Sequence, residues 1–278
     1  MKLATLRTAS GTQAVRVDDD RLIEIGSPDV GALLAMPDWQ QRAESASGTA
    51  HDAGGADFAP LVLNPGKIVC VGLNYRHHIL EMGREIPEFP TLFAKYPEAL
   101  IGASDDIQLA PESDSVDWEA ELAVVIGATV RRARGSSAEA AIAGFAVLND
   151  VTMRDWQYRT MMWDQGKTWE ATTPLGPYLV TADELPGGVR PALDLSCRVN
   201  DEVVQSANTS DLVFDPVALV EYISTILTLR PGDVIASGTP GGVGHARKPP
   251  RYLAPGDVLT TDISGLGIAH NRAVAEAV

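Results

Sequence analysis

The chain has 278 residues, 45% hydrophobic and 21% charged, and its 37 acidic side chains against 22 basic ones leave a formal charge of −15. A surface this acidic repels phosphate backbones and anionic bilayers, which argues against nucleic acid and membrane as partners. Met1-Lys2-Leu3-Ala4-Thr5-Leu6-Arg7 lacks the apolar core of a signal peptide, and no apolar run approaches the roughly 20 residues that span a bilayer, so a cytoplasmic protein is expected.

Residues 1–61 read as a small N-terminal domain, with strands at Lys2–Thr8, Ala14–Val17 and Leu22–Ile25 and one helix around Val30–Met36. Ala43 to Asp57 has the Ala, Ser, Gly and Asp composition of a linker. Residues 62–278 form the larger, catalytic part. It opens with a strand at Lys67–Gly72, followed by a short helix with Asn74 able to cap it and Gly83 to end it. On that helix His78 and Glu81 stand at i and i+3, the spacing of a base and its orienting acid, and equally of a surface ion pair. Leu92–Lys95 reads as a strand ending in a lone cation, which suits either an anionic substrate or solvent.

Val116 to Gly127 carries the clustered chemistry. Side chains alternate along a strand, so Glu119 and Glu121 project from one face beside an apolar, β-branched run. Asp150 ends the next strand, Gly144–Asp150, after a helix over Ser136–Ala143. Three carboxylates brought together would repel one another without a positive charge between them, and an all-oxygen set suits Mg²⁺, Mn²⁺ or Ca²⁺ better than Zn²⁺. A solvated acidic strand edge would use the same residues. A helix over Met153–Asp164 would place Arg154 and Gln157 on one face, turned back toward Asp150.

Beyond Gly166-Lys167 come a rigid turn at Thr173–Pro177, a strand at Tyr178–Thr181, and a hairpin turning at Asn200-Asp201-Glu202. Asp215-Pro216 starts a core helix whose stripe is Val217, Val220, Ile223, Ile226 and Leu227. Two Pro-Gly-Asp-Val phrases lead into strands. Between them, Ser237 to Gly244 is a Gly-rich loop without the Gly-Lys-Ser/Thr of a nucleotide-binding P-loop, followed by basic residues from His245 to Lys248 that suit substrate contact or solvent. Cys70 and Cys197 sit within apolar runs, as buried reduced thiols do.

From about Pro65 onward the sequence resembles the fumarylacetoacetate hydrolase family. The matching stretches are Gly72-Leu73-Asn74-Tyr75 through His78 and Glu81, Asp117 through Leu122 (D-x-E-x-E-L), Asn149-Asp150 through Arg154 and Gln157, Gly166-Lys167, and Ser237-Gly238-Thr239-Pro240. The resemblance implies an α+β, mainly β fold, a mixed β-sandwich roll with a small N-terminal domain, assembled as a homodimer. It implies Glu119, Glu121 and Asp150 as ligands of Mg²⁺ or Mn²⁺, His78 with Glu81 as a base dyad on a mobile lid, and Lys167 as a further catalytic group. Arg154, Gln157 and Thr239 follow as contacts of a small-molecule 2-oxo acid substrate, with Lys95 beside them as a candidate. One departure is Arg76-His77, which sets a second imidazole beside the base.

The expected activity is metal-dependent hydrolysis of the carbon–carbon bond of an acylpyruvate. The alternative within the family is a decarboxylase or tautomerase of a related 2-oxo or hydroxymuconate-type acid. From another class, a non-catalytic calcium-binding domain would have no use for an imidazole and acid on one helix.

Overall fold

Residues 1–277 are described by a computed structural model. The fold is mainly β. Ten strands form one sheet in the order Ala50–Asp52, Arg21–Glu24, Gly11–Asp18, Lys2–Thr8, Tyr178–Thr181, Ile142–Asn149, Ala120–Ile126, Val234–Ala236, Ile68–Gly72 and Thr91–Lys95. Five more, Glu202–Asn208, Asp194–Val199, Val258–Ile263, Gly267–Ala275 and Ile107–Leu109, form a second sheet.

The two central strands explain how the layers stack. Leu122, Val124, Phe145 and Val147 share a core with Leu195, Cys197, Leu259 and Ala269 of the second sheet. The alternate residues Ala123, Val125, Ala146 and Leu148 pack with Leu33, Leu34 and Trp39 near the N-terminus. Strands covered on both faces need apolar side chains at every position, which is why these runs lose the polar alternation of a half-exposed strand. The N-terminal strands continue the main sheet, with Leu3 opposite Leu179. Both cysteines are buried and unpaired, and desolvation pushes the Cys197 thiol up to about 12.

Several elements depart from expectation. The linker-like stretch contains a strand, Ala50–Asp52, paired with Arg21–Ile23, and is preceded by a helix, Trp39–Glu44. The helix expected over Met153–Asp164 is two single turns, Arg154–Gln157 and Asp164–Lys167, because between them Thr160 Oγ1 bonds the Met162 backbone and competes with helical pairing. Ser136–Ala143 keeps one helical turn, Ser136–Glu139. The helix Pro216–Ile226 begins as expected, with Asp215 Oδ1 accepting the Ala218 N–H at 2.9 Å, but Ile226 faces outward and Leu219 joins the buried stripe. Among the described residues no helix is long and apolar enough to cross a membrane.

Candidate active site

Sheet register builds the centre. Ala120 pairs with Asn149, so Glu119 and Glu121 flank the end of the strand that delivers Asp150. The Asp150 N–H donates to the Glu119 carbonyl at 2.8 Å, and Asn149 Oδ1 accepts the Glu119 N–H at 2.9 Å. One oxygen from each of Glu119, Glu121 and Asp150 lies within 4.8 Å of the others, and all three residues are buried.

Charge at this depth must be matched, since an unpaired buried ion costs several kcal/mol. Lys167 Nζ bridges Glu119 Oε2 at 2.6 Å and Asp150 Oδ2 at 2.8 Å. Burial works against its ammonium, but Asp150 and Glu119 outweigh it and hold the pKa above the ordinary lysine value. Burial likewise opposes the Asp150 carboxylate, and Lys167 with Lys95 more than offsets it, so its pKa lies low. Arg154 reaches Asp117 Oδ2 through Nε at 2.7 Å and stands 2.6 Å from Glu119 Oε1 through Nη2. That second contact is off the line of a hydrogen bond, so Nη2 keeps a donor free.

Glu121 is different. Its Oε2 accepts the Gly238 N–H at 2.8 Å, yet among the described residues it has no ion-pair partner, and burial with the charges of Asp150 and Glu119 pushes its pKa well up. Four buried carboxylates, counting Asp117, thus meet three buried cations, Lys95, Lys167 and Arg154. The residues fit a hard divalent ion: three oxygen donors converge, and the one without a counter-charge is among them.

Of these groups Glu119, Glu121, Arg154 and Lys167 line a cavity of about 200 Å³ together with His78, Gln157 and Thr239. Gln157 gives its carbonyl oxygen to Arg154 Nη1 at 2.9 Å, which leaves its amide N–H groups for a ligand. The close approach of the Lys167 turn to Gln157 requires Gly166, where a Cβ would stand 2.5 Å from the Gln157 nitrogen. Thr239 donates its hydroxyl proton to the Ala120 carbonyl, so toward a ligand it offers an acceptor only. Lys95, expected at the substrate, instead lies buried behind the triad, 2.7 Å from Asp150 Oδ1 and 3.1 Å from the Val151 carbonyl, and is not part of the cavity wall.

The helix Arg76–Glu81 brings the imidazole. His78 lines the cavity, and Glu81 lies behind it, on the side of Gly241. Desolvation pulls the His78 pKa below 6.5, with Glu81 and Glu119 opposing. Asn74 does not cap this helix; buried, it donates to the Phe214 and Ser237 carbonyls and anchors the helix entrance. Asp117, Asn149, Gln205 and Arg84 also shape the site. Asn149, a polar residue inside an apolar strand, carries a sequence signal, whereas Gln205, which accepts the Ala120 N–H and donates to Thr239, sits on a distant hairpin and carries none.

A carboxylate triad able to hold a divalent ion, beside a buried ammonium and an imidazole and set in a mixed β roll, has the make-up of an enzyme centre. The chain belongs to the fumarylacetoacetate hydrolase family, whose profile, Fumarylacetoacetate (FAA) hydrolase C-terminal, matches residues 67–274. It is 39% identical over 264 residues to "Oxaloacetate tautomerase Fahd2a, mitochondrial" of Rattus norvegicus, covering 91% of this chain and 84% of that protein. To "Oxaloacetate tautomerase FAHD2A, mitochondrial" of Homo sapiens it is 44% identical over 219 residues, 78% of this chain and 69% of that one. Among solved structures, the fumarylacetoacetate hydrolase of psychrophilic Exiguobacterium antarcticum superposes with a TM-score of 0.88 at 30% identity, covering 99% of this chain and all of that one. The 5-carboxymethyl-2-hydroxymuconate delta-isomerase of Mycobacterium smegmatis does so with a TM-score of 0.83 at 31% identity over the whole of both chains.

Proposed function

We propose that the protein is a divalent-metal-dependent keto–enol tautomerase of small 2-oxo acids of the oxaloacetate type. What carries this reading is the 39% identity to an oxaloacetate tautomerase across 91% of the chain, alongside the family match over residues 67–274, which include the segments supplying the site. It replaces the carbon–carbon hydrolase expected from the sequence with the tautomerase alternative, and the relation to a hydroxymuconate isomerase points the same way.

Glu119, Glu121 and Asp150 would hold Mg²⁺ or Mn²⁺, which when bound supplies Lewis-acid polarisation of the 2-oxo oxygen. Arg154, through the free donor on Nη2, and Gln157, through its amide, bind the 1-carboxylate. His78 takes a proton from C3 in the keto-to-enol direction and returns it in the other, while the 2-oxygen gains or loses one proton, so the two forms differ only in where that hydrogen sits. Lys167 stabilises negative charge as it develops on that oxygen. Glu81 makes no hydrogen bond to His78 among the described residues and acts on the imidazole through its charge. A cavity of about 200 Å³ is below the roughly 300–1,000 Å³ typical for drug-sized ligands, which suits a four- or five-carbon acid and leaves little bulk water beside it. The proposal includes a homodimer, as the family resemblance implies.

The test follows enol absorbance and pyruvate release together, using oxaloacetate and a panel of acylpyruvates with Mg²⁺ or chelator. The expected result is Mg²⁺-dependent enol–keto interconversion of oxaloacetate with no matching pyruvate release. Faster cleavage of an acylpyruvate than interconversion of oxaloacetate would return the site to the hydrolases.

A further inference from the structure

Arg84 is the cavity's full cation without an ion-pair partner among the described residues. The other two full cations on the wall, Arg154 and Lys167, are each held by buried carboxylates, whereas Arg84 takes part in no ion pair among the described residues. It is exposed, and so stands where the cavity meets solvent, while Arg154 and Lys167 lie at its buried end. Its charge is also among those that act on the His78 ring, which places it close to the imidazole.

The backbone fixes it there. Helix Arg76–Glu81 ends in a Schellman motif: Gly83 adopts a left-handed φ of +67°, its N–H donates to the Leu80 carbonyl at 2.9 Å, and the Arg84 N–H donates to the Ile79 carbonyl at 3.2 Å. These two bonds close the chain back over the last turn of the helix, so Arg84 and His78 belong to one short, hydrogen-bonded unit. That unit carries the proton-transferring imidazole and a guanidinium with no ion-pair partner among the described residues, both facing one small cavity.

We infer that Arg84 recognises the second carboxylate of a 2-oxo dicarboxylate and thereby selects dicarboxylic over monocarboxylic acids at this site. The inference rests on the reading of the site as one for 2-oxo acids. The 1-carboxylate and 2-oxo group of the substrate occupy the buried end, and the far carboxylate meets Arg84 at the rim, where a guanidinium can take it through two parallel N–H bonds. Because Arg84 is bonded into the helix that presents His78, the same contact draws the imidazole onto the substrate's C3. Recognition of the far carboxylate and placement of the base become one event.

The experiment uses the Mg²⁺-loaded full chain as parent, Arg84→Gln and Arg84→Lys, and measures the affinities of oxaloacetate, pyruvate and oxalate by calorimetry. A charge-assisted hydrogen bond of the usual strength makes the expected loss of oxaloacetate affinity in Arg84→Gln about 10- to 100-fold, with oxalate, which reaches only the buried end, changing by less than about twofold. Arg84→Lys should recover part of the loss, and the parent should prefer oxaloacetate to pyruvate by a margin that Arg84→Gln removes. Equal weakening of oxalate and oxaloacetate, or unchanged oxaloacetate binding, overturns the assignment. A parent that binds oxaloacetate through Arg84 but does not interconvert its keto and enol forms would sink the tautomerase reading and leave this assignment standing.

Discussion

His77 and His78, adjacent on one helix, face different surroundings. The His77 ring, 84% exposed, is 2.6 Å from Asp211 through Nδ1, while His78 turns inward and lines the cavity beside Glu119 and Arg154. Successive residues on a helix point about 100° apart, so only one of the pair can reach the site. His78→Ala should lower the enol–keto rate by about 10²- to 10⁴-fold, the usual cost of removing a positioned general base. His77→Ala should keep most of the rate, since its partner is a surface carboxylate. Steady-state kinetics on both variants decides it; a loss in His77→Ala as deep as that in His78→Ala removes His78 from its role.

A second prediction concerns Glu121. Burial and the like charges of Asp150 and Glu119 act against its carboxylate, Lys167 and the Gly238 N–H offset them only in part, and among the described residues it has no ion-pair partner. Gln in its place keeps the volume and the acceptor for the Gly238 N–H but removes the charge. In chelator, Glu121→Gln should therefore melt no lower than the parent. With Mg²⁺ at about 100 times its Kd the parent should gain roughly 2.7 kcal/mol of stability, and the variant should gain little. Melting curves with and without Mg²⁺ suffice, and an equal Mg²⁺ effect in both proteins removes Glu121 from the metal site.

The convergence of Glu119, Glu121 and Asp150 is legible in the sequence because it depends on strand alternation and on where an apolar run stops, both local properties. The short helix that carries His78, the hairpin at Asn200 and the core helix after Asp215 are legible for the same reason. Lys95 is not: a lone cation at a strand end suits an anionic substrate or solvent until the sheet order places it behind Asp150. Asn74 has the residue type of a cap, yet its Oδ1, the atom a cap would use, accepts the Phe214 N–H at 2.8 Å while its amide donates to the Phe214 and Ser237 carbonyls. Gln205 reaches the site through packing of a segment distant in the chain, which no spacing rule records, whereas Arg84 is carried there by the turn that ends the His78 helix. The broken helix after Arg154 turns on Thr160, whose side chain bonds its own neighbourhood, and periodicity does not register such competition.

Gly241 supports a third prediction. A side-chain carbon there would stand 3.2 Å from both His78 Nδ1 and Glu81 Oε2, closer than comfortable contact, so the bare backbone is what leaves room for both side chains, which share no hydrogen bond or ion pair among the described residues. Gly241→Ala should displace the exposed Glu81 and tilt the ring. A misplacement near 1 Å can cost about 10²-fold, so a smaller shift here should lower kcat roughly tenfold. KM should hold, because the 1-carboxylate contacts of Arg154 and Gln157 are untouched. A rise in KM with kcat unchanged would place Gly241 in substrate binding.

The pH dependence tests the electrostatics of the imidazole itself. Burial disfavours the charged ring and brings the His78 pKa below its ordinary 6.5; Glu81 and Glu119 pull it back up in part, while Arg154 and Arg84 push it down. The neutral ring, which accepts the proton from C3, therefore persists to lower pH than an exposed histidine would allow. The logarithm of kcat/KM should be level near neutrality and fall with a slope of one only as pH drops through a value below 6.5. Glu81→Gln removes the carboxylate that most favours the charged ring, so the acid limb should move to still lower pH while the plateau drops. Stability follows the same sign: with the folded pKa below the unfolded one, the unfolded chain binds more protons in the window between them, and stability is lost as pH falls from 6.5 through the folded value. His78→Ala should flatten that part of the stability curve. Profiles of kcat/KM and of melting temperature from pH 5 to 8, on the parent and both variants, carry the test. An acid limb at or above 6.5 that ignores Glu81→Gln would mean that the group titrating in catalysis is not His78.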